Sequence, residues 1–114
     1  MSSPVLTDEM RYKLLKLVEG NPEMSQRRVA RELGISLGKV NFCLNALIQA
    51  GLIKVANFKN SHNKAGYMYL LTPRGIKAKA RVTARFLQWK VREYEALQAE
   101  IEQIRSDVLR QKSG

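Results

Sequence analysis

The sequence predicts a mainly α fold with a small β-hairpin and one long C-terminal helix, on three observations. The stretch "QRRVARELGISLGKVNFCLNAL" (26–47) reads as two short amphipathic helices hinged at a glycine. The segments "IKVANF" (53–58) and "GYMYLL" (66–71), rich in β-branched and aromatic residues, flank the polar "KNSHNKA" (59–65). No proline follows Pro73, and apolar residues then recur at heptad spacing. A hinged helix pair followed by a hairpin makes a winged helix-turn-helix, and the tail becomes a long helix forming a dimerising coiled coil. The expected division is 1–72 for the winged helix-turn-helix domain and 73–114 for the dimerisation helix.

Each element has its own local signals. Thr7 is expected to cap a first helix, "DEMRYKLLKLVEG", with Met10, Leu14, Leu17 and Val18 at helical spacing and Gly20 stopping it. Ser25 can cap a second helix running to Leu33, with Val29, Ala30 and Leu33 inward and Gly34 just past its end. Ser36 caps a third, in which Leu37, Val40, Leu44, Leu47 and Ile48 share one face and Gly51 ends the run. Thr72 and Pro73 supply an N-cap and a first-turn proline for the last helix. Reaching about Leu109, it would span roughly 55 Å at 1.5 Å per residue.

Composition limits the function. A chain of 114 residues suits one domain plus an extension, and 45% hydrophobic residues are enough for a core. Lys and Arg total 20 against 10 acids, a net charge of +10, which points to a polyanionic partner. Cys43 is the single cysteine, so an internal disulfide and a cysteine-rich zinc site are excluded; on the edge of the third helix's inner face it serves as a small hydrophobe. Neither a membrane span nor a signal peptide is expected, since "MSSPVLTDEM" has no basic and apolar leader regions. No Ser-His-Asp order, paired-carboxylate motif, zinc spacing or phosphate-binding glycine loop occurs, and we expect no enzyme, no cofactor and no metal.

The hinge has a physical logic. Two short helices pack near a right angle only if the facing residue is small and the turn admits φ > 0; Ala30 and Gly34 meet those needs, with Val40 anchoring the next helix from inside. The third helix, 36–50, then presents Gly38, Lys39, Asn41, Phe42, Asn45 and Gln49 away from the core. Asn and Gln suit adenine edges, Lys suits guanine or phosphate, and Phe42 suits a thymine methyl. Arg27, Arg28 and Ser36 complete the expected DNA-binding set on this lobe, and Lys59, Asn60, His62 and Lys64 do so on the wing tip 59–65, which would touch flanking backbone or a minor groove.

The run "VARELGISLGKVNFCLNALIQAGLIK" followed by "YMYLLTPRG" resembles the MarR-type winged helix-turn-helix regulators, over about Thr7 to Gly75. The continuation "TARFLQWKVREYEALQAEI" is further similar to the small MarR-like proteins associated with exopolysaccharide gene clusters. The resemblance implies a cytoplasmic, dimeric, DNA-binding transcription regulator. One departure stands out: the family carries an extra N-terminal helix, whereas six residues precede Thr7 here, so an effector ligand and the usual dimer geometry stay open.

The last helix divides by charge. Arg74, Lys77, Lys79, Arg81, Arg85, Lys90 and Arg92 come without an acid among them, and from Glu93 to Asp107 acids dominate. The basic half suits phosphates beside the site, an acidic partner surface, or plain solvation. Leu87, Tyr94, Leu97, Ile101, Ile104 and Val108 form a heptad seam, interrupted by Lys90 with Val91 beside it, and these apolar residues are the expected dimerisation set. Glu100 would face Arg105 in a parallel pair, and Trp89 would cover the interface or the domain junction. A two-fold dimer predicts an inverted-repeat operator on double-stranded DNA. Two other readings remain: a winged-helix protein-interaction adaptor, suggested by Phe42, and a sequence-neutral architectural nucleic-acid-binding protein.

Overall fold

The computed structural model describes residues 6–59 and 65–113. Its elements run α1 (Asp8–Gly20), α2 (Gln26–Leu33), α3 (Leu37–Gln49), β1 (Ile53–Lys59), β2 (Ala65–Leu71) and α4 (Pro73–Ser113).

The first three helices start at hydroxyl caps. Thr7, Ser25 and Ser36 each accept a hydrogen bond from the backbone N–H three residues on, at 3.1, 3.2 and 3.0 Å. Each satisfies one donor the helix cannot satisfy itself. Asp8 and Glu9 add negative charge in the first turn of α1, where the helix dipole favours it. Helix α1 ends at Gly20 as expected, and Asn21 closes it through its N–H to Leu17 O at 2.8 Å.

The hinge between α2 and α3 rests on Gly34, which lies at φ +66°. Its N–H bonds Arg31 O, and the N–H of Ile35 bonds Ala30 O at 3.1 Å, so two of the carbonyls left over at the end of α2 are met. A residue with a Cβ at this left-handed position is strained by roughly 1–2 kcal/mol.

The core gathers Leu14, Leu15 and Val18 of α1, Met24, Val29 of α2, Val40, Cys43, Leu44 and Leu47 of α3, and Ile53 of β1. Every fully buried Leu or Val here stabilises the domain by roughly 1.5–3 kcal/mol. Two expectations change. Leu37, placed on the inner face by spacing, is 42% exposed, because as the first residue of α3 it lies at the hinge end, away from the bulk of the core. Leu15, which the periodicity passes over, is fully buried in the angle that Ala46, Leu47, Ala78 and Val82 line.

The hairpin is antiparallel and pairs Ile53 with Leu71, Val55 with Tyr69 and Asn57 with Tyr67 on one face. Burial falls along that face: Ile53 is 2% exposed, Val55 42% and Tyr67 64%. The strands extend one residue further than expected at each side, to Lys59 and from Ala65, which shortens the intervening segment to 60–64.

Thr72 joins α4 to the end of α3. Its hydroxyl donates to Gly51 O at 2.5 Å and accepts from Gly75 N–H at 3.0 Å, while its own N–H bonds Leu52 O at 3.0 Å. Helix α4 then packs on α1 through Ala78 and Val82, a Tyr12–Phe86 ring stack at 5.0 Å, and ion pairs Lys79–Glu19 and Arg85–Asp8. Beyond Phe86 the described side chains are all exposed. The helix reaches four residues past the expected Leu109, and the molecule is 74 Å long.

Candidate nucleic-acid interface

The outer face of α3 and the start of α2 form one continuous surface. Gly38, Lys39, Asn41, Phe42, Asn45 and Gln49 are exposed on α3, as are Arg27 and Arg28 on α2. The inward face of α3 is held by Val40, Cys43, Leu44 and Leu47, so the rotation of the helix is fixed and the outward set cannot turn away without unpacking the core. Phe42, 44% exposed, is an apolar residue in the middle of polar ones. Ser36 is exposed, with its Oγ taken up by the Lys39 N–H, so its hydroxyl is first a helix cap.

A chain of side-chain hydrogen bonds crosses this surface. Asn45 Nδ2 donates to Asn41 Oδ1 at 3.1 Å, Asn41 Nδ2 donates to Gln26 Oε1 at 3.3 Å, and Gln26 Nε2 donates to the Tyr69 hydroxyl at 3.0 Å. Three elements, α3, α2 and β2, are thereby tied together by polar groups outside the core. Tyr69 is held a second time by its backbone N–H to Pro22 O at 2.9 Å. The hairpin is therefore pinned to the helix-turn-helix from both backbone and side chain.

Gln26 and Tyr69 did not figure among the expected site residues. A signal for Tyr69 exists, since in "GYMYLL" it shares the inward phase of Leu71, and an inward phenol needs a polar partner. Gln26 carries no comparable signal; only the α2–α3 crossing brings it under Asn41.

On the wing, Lys59 ends β1, while Asn60, His62 and Lys64 lie outside the described residues. The basic half of α4 divides in a way composition did not suggest. Arg85 makes a bidentate pair with Asp8, both contacts at 3.0 Å, Lys79 pairs with Glu19, and Lys90 pairs with Glu93 at 3.2 Å. These three cations tie α4 to α1 or brace the helix itself. The Arg85 guanidinium is the main reason that the Asp8 carboxyl is held below its ordinary range, and Asp8 in turn raises Arg85.

Lys90 interrupts the heptad for a visible reason. Its Nζ lies 5.4 Å from the Phe86 ring centre and 5.3 Å from that of Trp89, within cation–π range. Trp89, 49% exposed, stacks on Phe86 and so extends the Tyr12–Phe86 ladder outward. Thr7, Asp8, Glu9, Arg85, Phe86 and Trp89 border an open cleft of about 450 Å³ beside this ladder. Further along, Leu87, Val91, Tyr94, Leu97, Ile101, Ile104 and Val108 are 41–63% exposed. Arg105 pairs within its own helix with Glu102 at 3.4 Å.

Burial raises the Cys43 thiol above its usual range, consistent with an inert core position. Among the described residues there is no group of acidic, histidine or cysteine side chains able to hold a metal ion, and no helix long and apolar enough to cross a membrane.

Residues 7–54 match the winged helix-turn-helix DNA-binding family model. No curated protein sequence matches the chain. Several solved structures share the fold. A PadR-like transcriptional regulator from Bacillus cereus superposes with a TM-score of 0.72 at 16% identity, over 84% of this chain and 98% of that one. The PcaV transcriptional regulator from Streptomyces coelicolor, solved with its natural ligand, gives 0.63 at 18% identity over 90% of this chain and 72% of that one. FabT from Streptococcus pneumoniae, solved in complex with DNA, gives 0.51 at 23% identity over 73% of this chain and 56% of that one.

Proposed function

We propose that the chain is a MarR-type transcription regulator that binds double-stranded DNA as a homodimer, with α3 in the major groove and the wing on the flanking backbone or minor groove. The observation that carries this is the outward face of α3, where Lys39, Asn41, Phe42 and Asn45 stand exposed beside Arg27 and Arg28 on a helix whose rotation the core fixes. Asn amides match adenine's paired donor and acceptor, Lys39 matches guanine or phosphate, and Phe42 matches a thymine methyl. The net charge of +10 supplies the sequence-independent part of the affinity. The match of 7–54 to a DNA-binding family model and the neighbour solved on DNA agree with it.

The dimer reading rests on the apolar stripe of α4 from Leu87 to Val108. Seven large apolar side chains on one helix face do not stay in water when a second copy can cover them. Two-fold pairing sets the two recognition helices about one DNA turn apart, and the site read is then an inverted repeat.

The test is selection of binding sites from random duplex DNA at about 0.2 M salt, where phosphate contacts alone are weakened. An enriched inverted repeat is the expected result. Binding with no enrichment, fading equally on all sequences as salt rises, would replace this reading with the architectural one.

A further inference from the structure

Resting on that reading, we propose that Gln26 and Tyr69 are positioning residues for base recognition: they couple the amides of Asn41 and Asn45, so that neither turns independently before DNA arrives. A lone surface asparagine can rotate its amide by half a turn at little cost, since the terminal torsion is broad and two-fold. That half turn exchanges oxygen for nitrogen. Adenine offers N6–H as a donor and N7 as an acceptor, so one orientation of the amide matches it and the other opposes it at both points.

Here each amide is tied to the next, so none can turn by itself without breaking a hydrogen bond; only a concerted reversal of all three, with the Tyr69 hydroxyl passing from acceptor to donor, keeps the chain intact. The Tyr69 hydroxyl accepts from Gln26 Nε2, which leaves Gln26 Oε1 to accept from Asn41 Nδ2. Asn41 Oδ1 then accepts from Asn45 Nδ2. Asn45 keeps Oδ1 and one N–H for a base edge, the pair that adenine requires. Tyr69, pinned by its backbone to Pro22, is the fixed end of the chain. Hydrogen bonds in such a chain polarise one another, so loss at the Tyr69 end is felt at Asn45.

The wing strand β2 thus acts on the recognition helix without touching the bases that the helix reads. Two consequences separate this role from a merely structural one. Tyr69→Phe removes one oxygen and keeps the ring's packing, so folding should be intact. Gln26→Glu keeps an acceptor for Asn41 Nδ2 and takes the Tyr69 hydroxyl as donor, so it preserves the amide orientation while adding a negative charge.

The experiment compares wild type, Tyr69→Phe, Gln26→Leu and Gln26→Glu, on the selected duplex, on that duplex with each adenine replaced in turn, and on random duplex. Unfolding of each variant is followed in parallel. Tyr69→Phe and Gln26→Leu are expected to lose about five-fold or more of the preference at an adenine position while binding random duplex within about two-fold of wild type. Gln26→Glu is expected to bind all duplexes more weakly and to keep the preference. Full preference in Gln26→Leu and Tyr69→Phe, or its loss in Gln26→Glu to the same degree as in Gln26→Leu, would overturn the positioning role alone. A wild type with no preferred duplex would overturn the regulator reading itself, and this inference with it.

Discussion

Replacing Gly75 with alanine should loosen the junction between α4 and the winged-helix lobe. A Cβ at this position would sit 2.0 Å from the Leu52 carbonyl oxygen and 3.0 Å from its carbon. Carbon and oxygen rest no closer than about 3.3 Å, so the two backbones must separate by roughly 1.3 Å. Leu52 O is also the acceptor for Thr72 N–H at 3.0 Å, and Thr72 in turn caps α4. Losing that bond costs roughly 1 kcal/mol, and overpacking adds about 1–3 kcal/mol. Alanine's better helix propensity returns only about 1 kcal/mol. The net is a loss of roughly 2 kcal/mol, which lowers the melting temperature by about 10 °C in a chain of this size. Gly38→Ala is the internal control, since nothing lies within 4 Å of its added Cβ; it should gain about 0.5–1 kcal/mol from helix propensity. Urea unfolding of the three proteins at one protein concentration measures both. A Gly75→Ala protein as stable as wild type would refute the argument from close backbone approach.

Two further outcomes are expected. Leu97→Asp combined with Ile101→Asp puts charge into the proposed seam, and light scattering should report a monomer; an unchanged dimer mass would locate the interface elsewhere. The Asp8–Arg85 pair should make stability acid-sensitive. Asp8 is held below its ordinary value of 3.8, so the unfolded state takes up protons first, and the pair's contribution is fully present above that value and lost as pH falls through the lower folded one. Both side chains are partly solvated, so the effect is modest. Asp8→Asn should flatten the decline of stability between about pH 5 and pH 3; an identical pH profile in the variant would show that the pair contributes nothing.

The order of elements was legible from the chain because each signal is local. Thr7, Ser25 and Ser36 end up as caps because only a short side-chain oxygen can meet the first free N–H groups, and Gly34 turns left-handed because it lacks a Cβ. The inward phase of α3 followed from helical spacing, and its outward residues follow from the same rotation. Local patterns lose their force at the ends of elements and wherever two elements meet. Leu37 obeys the spacing yet stays exposed, since periodicity says which face a residue occupies and not how far the core extends along it. Leu15 breaks the narrow pattern yet is fully buried, because α4 arrives on its side of α1 from sixty residues away in the chain.

Charge was the least legible property. A run of seven bases without an acid suited phosphates, an acidic partner surface or plain solvation alike, but the fold brings Asp8 and Glu19 of α1 against Arg85 and Lys79. Lys90 interrupts the heptad in the sequence, and the reason lies in rings that only the helix geometry sets beside it. What the sequence alone determined is the set of local elements and the faces they present, because capping, turn chirality and hydrophobic period act over a few residues. Only the tertiary structure decided that Tyr69, Gln26, Asn41 and Asn45 form one connected chain, because hydrogen bonds between residues up to 43 apart depend on how three elements cross.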